Sequence, residues 1–179
     1  MSYPRILPVL SILVATFSHA AEPVVAQEPI EVYFSPNGGC TDAIVKTIDA
    51  AQKSLLVQAY FFTSSPIAKA LVEAKKRGLD VRVILDKSQI AGGYSSAETL
   101  AQGGVPTWID SQHAVAHNKV IIVDGTTVIT GSFNFTSGAE KNNAENLLIL
   151  HDNKPLADKY TANWNAHLAH SDPYSGKAN

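Results

Sequence analysis

Cys40 is the only cysteine in this 179-residue chain. No internal disulfide can form, and cysteine-built zinc clusters are excluded. The lone thiol reads as a buried spectator, with an intermolecular bridge as the other reading. Basic charge is also short, since 14 Lys and Arg against 16 Asp and Glu leave a net charge of -2. Such a chain cannot hold a polyanion by overall charge, so any contact with nucleic acid must be local. Membrane-length apolar runs are missing too: Ile6 to Phe17 covers twelve residues, against roughly 20 for a bilayer span. No internal repeat or low-complexity block is present.

That short apolar run, with Arg5 before it and small residues at Ala20 and Ala21, has the layout of a secretory signal peptide over residues 1–20. An uncleaved tether is the competing reading. Cleavage after Ala20 leaves about 159 residues, enough for one domain with a sizeable core, and a net charge of -3 once Arg5 is gone. The expected location is periplasmic or secreted, without stable membrane association after cleavage. Residues 21–29, AEPVVAQEP, read as a linker, 30–170 as the folded domain and 171–179 as a C-terminal tail.

IEVYF alternates as a strand does, and Thr41 offers a cap for a helix carrying Ile44, Val45 and Ile48. SLLVQAYFF, TSSPIAKALVEAKKRG and LDVRVILD then read as strand, helix, strand. Ser65 would cap that helix, Pro66 suits its first turn, and Ile67, Ala70, Leu71 and Ala74 form its buried stripe. Such a crossover implies parallel pairing. A polar loop, a short helix over Ala97 to Gln102, the strand VPTWI, a hairpin, the strand ENLLIL and a helix marked by Leu156, Tyr160, Trp164 and Leu168 complete the chain. The expected class is α/β: a mixed, largely parallel sheet flanked by helices.

The hairpin HNKVIIVDGTTVITGSFNF, residues 117–135, carries more chemistry than a turn requires. His117 and Lys119, two apart, share a strand face with Ile121 and Val123. Asp124-Gly125 is a strong turn dipeptide, and regular pairing returns Gly131, Ser132 and Asn134 beside His117 and Lys119. An imidazole to attack phosphorus, an ammonium to neutralise its oxygens and hydroxyl and amide donors to hold them suit phosphate-ester cleavage, and nothing in that set requires a metal. Backbone N–H groups beside Gly131 would add anion contacts.

The arrangement His117-x-Lys119-x4-Asp124-x6-Gly131-Ser132, with Asn134 two residues on, resembles the HKD signature of the phospholipase D superfamily. YFFTSSPIAKALVEAKKRGLDVRVILDKSQ resembles its small, secreted, EDTA-resistant endonuclease branch. The resemblance implies a phospholipase D-like α/β sandwich without cofactor, in which His117 forms a phosphohistidine, Lys119 and Asn134 bind phosphate and Ser132 assists. Glu145 matches an acidic position that hydrogen-bonds and orients a catalytic histidine. Asp124, on the opposite strand parity and at the turn, is expected to support the site structurally. Longer family chains carry two copies of the motif. One copy here implies a homodimer in which two His117 side chains share one site, one as nucleophile and one as general acid.

Lys87, Ser88 and Gln89, after their strand, are candidates for substrate contact. His113 and His117 are four apart, as helical zinc ligands are, but the residues between read as a loop entering a strand, so no metal is expected there. His151, His167 and His170 read as surface or helix-end residues, and the KKRG at 75–78 as a helix end in preference to a DNA-backbone patch. Of Tyr60, Phe61 and Phe62, at least two are expected in the core, with base stacking as the alternative. Trp108 and Trp164 also read as core. The implied function is a metal-independent phosphodiesterase, a non-specific endonuclease cleaving DNA and also RNA. A phospholipase or phosphatidyl transferase would need apolar acyl-binding surface, and a catalytically inactive nucleic-acid-binding module would be expected to lack part of the motif. A toxin-like role shares the same chemistry.

Overall fold

The computed structural model describes residues 29–91 and 95–176. The segment read as signal peptide and most of the linker lie outside them. Eight strands form one sheet in the order β1-β7-β6-β5-β2-β3-β4-β8: β1 (Ile30–Ser35), β2 (Ser54–Ala59), β3 (Asp80–Asp86), β4 (Thr107–Asp110), β5 (Lys119–Val123), β6 (Thr127–Gly131), β7 (Glu145–Leu150) and β8 (Asp172–Tyr174). The helices are α1 (Cys40–Ala50), α2 (Ser65–Lys76), α3 (Ser88–Ala91), α4 (Ala97–Gln102), α5 (Ser137–Lys141) and α6 (Lys154–Leu168). The mixed sheet agrees with expectation, but parallel neighbours are confined to β2–β3–β4, where the α2 crossover returns the chain in the same direction. The other strands pair antiparallel, because hairpins and edge returns join them.

The sheet separates two cores. Leu55, Val57, Val81, Val83, Ile121 and Ile129 pack under α1, α2 and α4 on one face. Ile84, Val120, Ile122 and Val128 meet α6 on the other, with Leu156, Tyr160 and Leu168 around Trp164. Trp164 is buried and its Nε1 donates to Val57 O at 2.9 Å, so its polar edge is satisfied in the core. Burying a side chain of this size contributes on the order of 2–3 kcal/mol. Trp108 packs at the margin of the same cluster.

Three local expectations change. Thr41 lies inside α1, whose N-cap is Gly39 at φ 81°; the orphan N–H groups of Gly39 and Thr41 donate instead to the distant Glu140 carboxylate at 3.1 and 2.7 Å. The cap position of α2 is Ser64, and Ser65 is its first residue. Residues 171–179 are not simply a tail, because Asp172–Tyr174 adds β8 against β4. Cys40 is fully buried, and burial followed by the neighbouring Glu140 charge pushes its thiol up to about 11, which makes it inert as expected.

Candidate active site

Strand register gathers the chemistry on one rim of the sheet. Ser35 pairs with Glu145, Gly131 with Leu147, Ala59 with Lys119 and with Leu85, and Asp86 with Asp110. The ends of β1, β2, β3, β4 and β6 therefore lie beside the starts of β5 and β7. His117 and Lys119 enter this rim from the β4–β5 loop. Gly131, Ser132 and Asn134 leave it after β6, and Phe135 then docks beside the end of β2: Phe135 N donates to Phe61 O at 3.1 Å, and Thr63 N and Ser64 N donate to Phe135 O at 2.9 and 2.8 Å. The segment carrying Ser132 and Asn134 is thus anchored at both ends.

His117 is exposed, and its ring forms no hydrogen bond among the described residues. It packs against Tyr60, ring centroids 4.7 Å apart. Lys119 is 6% exposed, with Nζ donating to His117 O at 2.8 Å and standing 5.2 Å from the Tyr60 ring centroid. Burial pulls its ammonium below the ordinary lysine range, while the Glu145 carboxylate opposes that shift. Asn134 Oδ1 is buried with no partner among the described residues, an unmet acceptor at the rim, while its Nδ2 is the donor that suits a phosphate oxygen. Ser132 is exposed and its Oγ accepts from Asn146 N at 3.1 Å and Nδ2 at 3.3 Å.

Several assignments shift. Glu145 was expected on a His117 ring nitrogen; its carboxylate instead accepts from Asn143 Nδ2 at 3.1 Å, and its charge acts on Lys119. The N–H groups after Gly131 are not open to an anion, since Ser132 N and Phe133 N both donate to Asn146 O, at 3.1 and 3.2 Å. Gly131 serves that contact: at φ 146°, an added Cβ would stand 2.3 Å from Asn146 O. Asp124 lies at the other end of β5, roughly 17 Å of strand from Lys119. Its carboxylate accepts from Gln52 N, Lys53 N and Ser54 N at 2.7–2.9 Å, so its role is structural. Gln89 is 5% exposed and its Oε1 accepts from Phe62 N at 3.0 Å, which removes it from substrate contact. Lys87 stays exposed at the rim, donating to His113 O at 2.8 Å, and Ser88 Oγ is buried without a partner among the described residues.

Two further positions, Asp86 and Tyr60, support the rim in ways no motif signals. Asp86 is buried at the end of β3, and its carboxylate accepts from Ala116 N at 2.7 Å and Ser88 N at 2.9 Å, holding the loop just before His117. Of the aromatic trio, only Phe62 is core; Tyr60 supports both His117 and Lys119, and Phe61 is 41% exposed. The basic KKRG ends α2 on the opposite rim, ahead of β3, where Arg77 Nη2 donates to Ile48 O at 3.1 Å. His151 bonds Glu31 at 2.6 Å. His167 and His170 are not free helix-end residues: with His113 they turn onto Asp110, so the His113–His117 pair forms no common site.

A mixed sheet with His-x-Lys and Gly-Ser-x-Asn brought to one rim defines a phospholipase D-like fold and site. The family described as "Cardiolipin synthase, PLD-like domain" matches residues 44–168, and the chain belongs to the phospholipase D superfamily. It is 44% identical over 135 residues to a phospholipase D of Rickettsia prowazekii (strain Madrid E), covering 75% of this chain and 65% of that protein. It is 35% identical over 140 residues to the mitochondrial cardiolipin hydrolase of Xenopus laevis, covering 73% and 65%. The chain thus spans just under two thirds of the length of these relatives. The crystal structure of Nuc from Salmonella typhimurium, a phospholipase D family member, superposes with a TM-score of 0.79 at 38% identity, covering 82% of this chain and 97% of Nuc.

Proposed function

We propose that this protein is a metal-independent phosphodiesterase acting as a non-specific endonuclease on DNA, and on RNA, in the periplasm or outside the cell. The observation that carries the reading is the convergence of an exposed, unbonded imidazole, a buried lysine and an unpartnered amide on one rim. In the proposed cycle, His117 attacks phosphorus, forming a P–N bond as the bond to the leaving oxygen breaks. The imidazolium of a second chain's His117 gives that oxygen its proton. Water then attacks the phosphohistidine, passing a proton to the same imidazole and releasing the phosphate. Lys119 neutralises the non-bridging oxygens and Asn134 donates to them through Nδ2. Exposed Phe61, with Tyr60 behind His117, offers a stacking surface for bases.

Purified protein in EDTA is expected to nick plasmid DNA, and His117→Ala is expected to lower the rate by 10³-fold or more, about the loss seen when a covalent nucleophile is removed. Equal cleavage by the variant would refute the assignment. A lipid substrate is the second reading, favoured by the Rickettsia and Xenopus relatives, a phospholipase D and a cardiolipin hydrolase. Release of choline from phosphatidylcholine vesicles without plasmid nicking would establish it in place of the nuclease.

A further inference from the structure

Asp110, His113, His167 and His170 form a cluster that the hydrolytic site does not use. One ligand-type atom from each lies within 4.8 Å of all the others. Asp110 ends β4 with its side chain 0% exposed, while His167, His113 and His170 are 14%, 45% and 33% exposed. The carboxylate is the floor and the imidazoles are the walls. His167 Nδ1 stands 2.8 Å, His113 Nδ1 2.9 Å and His170 Nε2 3.4 Å from Asp110 Oδ2. The three rings touch one another, with centroids 4.7, 5.2 and 5.3 Å apart.

Hydrogen bonding alone accounts poorly for this convergence. Oδ1 is also approached by Gln112 N at 3.2 Å, His113 N at 3.5 Å and His113 Nδ1 at 3.1 Å. Five nitrogens crowd the two oxygens, His113 Nδ1 reaching both, whereas a carboxylate offers about four lone-pair positions. One cation among the four side chains suits them better. Tetrahedral zinc, with ligand bonds of about 2.0–2.1 Å, separates its ligand atoms by about 3.4 Å. The nitrogen–oxygen separations of 2.8–3.4 Å lie at or just below that edge length, and the ligand atoms, all within 4.8 Å of one another, reach it by small side-chain rotations. Three imidazoles and a carboxylate are a borderline donor set suited to a zinc-class ion, not to calcium or magnesium.

We propose that Asp110, His113, His167 and His170 bind one zinc-class divalent ion that clamps the C-terminal end of α6 to the loop delivering His117. The clamp is structural, since all four positions are protein ligands and none belongs to the His-x-Lys or Gly-Ser-x-Asn segments. It joins the end of β4, the 111–118 loop and the turn after α6, segments separated by 57 and 60 residues from Asp110 on the helix side. The proposal does not depend on which phosphodiester the enzyme cleaves.

The test is a titration of chelator-stripped, dialysed protein with Zn²⁺ by calorimetry and with Co²⁺ by visible absorption. One ion per chain, tetrahedral Co²⁺ bands and a higher Tm with Zn²⁺ are expected. His170→Gln, at a partly exposed position, is expected to fold as the wild type does and to weaken binding about 100-fold or more, with His167→Gln behaving alike. His151→Gln, outside the cluster, should bind normally. Absence of a one-per-chain isotherm, or unchanged affinity in both cluster variants, overturns the clamp. The hydrolytic reading fails separately: sensitivity to EDTA that acts through the clamp disappears in His170→Gln, whereas sensitivity from metal-dependent chemistry would persist.

Discussion

Lys119 combines a charge with a buried setting, and that combination makes its protonation a sensitive point. Burial favours the neutral amine, and Glu145 holds the proton on. Since the proposed reaction needs the ammonium, activity should fall as pH rises through a lysine pKa below the ordinary value. Glu145→Gln removes the opposing charge, lowers the Lys119 pKa further and should move the alkaline limb of the kcat/KM profile to lower pH. An alkaline limb unmoved by Glu145→Gln would show that the carboxylate does not tune this lysine. Tyr60 contributes at the same scale through its ring face, which touches both the imidazole and the ammonium.

The β5–β6 hairpin uses its two ends differently. Its open end presents His117, Lys119, Ser132 and Asn134, whereas its turn end is tied down by Asp124, which stands at φ 54°. Burial alone would raise the Asp124 carboxyl, but the N–H groups of Ser54, Gln52 and Lys53 hold it below the usual carboxylate range. A depressed folded pKa contributes stability that is full above the unfolded value, near pH 4, and is lost as pH falls through the folded one. Asp124→Ala should therefore destabilise the protein by about 2–3 kcal/mol at pH 7, lowering Tm by roughly 4–12 °C. The difference from wild type should shrink in acid, and kcat/KM measured well below Tm should change little. A large loss of kcat/KM at full stability would instead assign Asp124 to the chemistry.

The whole molecule presents one His117 on an exposed rim, while the proposed mechanism uses a nucleophile and an acid. Exposed Val115, two residues before His117, and exposed Phe61, whose ring packs on the same Tyr60 that supports His117, offer apolar surface for a second chain to cover. If two chains share one site, a dimer of wild type with His117→Ala should be inactive. Refolding wild type with about a ninefold excess of the variant should then lower activity per wild-type chain roughly tenfold, because random pairing leaves few wild-type dimers. Activity undiminished by the variant, or an active monomer by sedimentation, would remove the shared site.

Local pattern in the sequence was enough for β1 to β7 and the larger helices, for the stripe Ile67, Ala70, Leu71 and Ala74 that α2 buries, and for the motif that carries His117, Lys119, Ser132 and Asn134, but not for β8. Periodicity and turn chemistry act over a few residues, so they can be read along the chain. The roles of Glu140 on α1, Gln89 under Phe62 and Tyr60 beside His117 depended on which segments the crossovers made neighbours. The same holds for His167 and His170, which look like ordinary helix-end histidines until the packing of α6 on the sheet sets them against a carboxylate 57 and 60 residues away. Side-chain spacing is a property of the strand, but the partner across space is chosen by the tertiary packing.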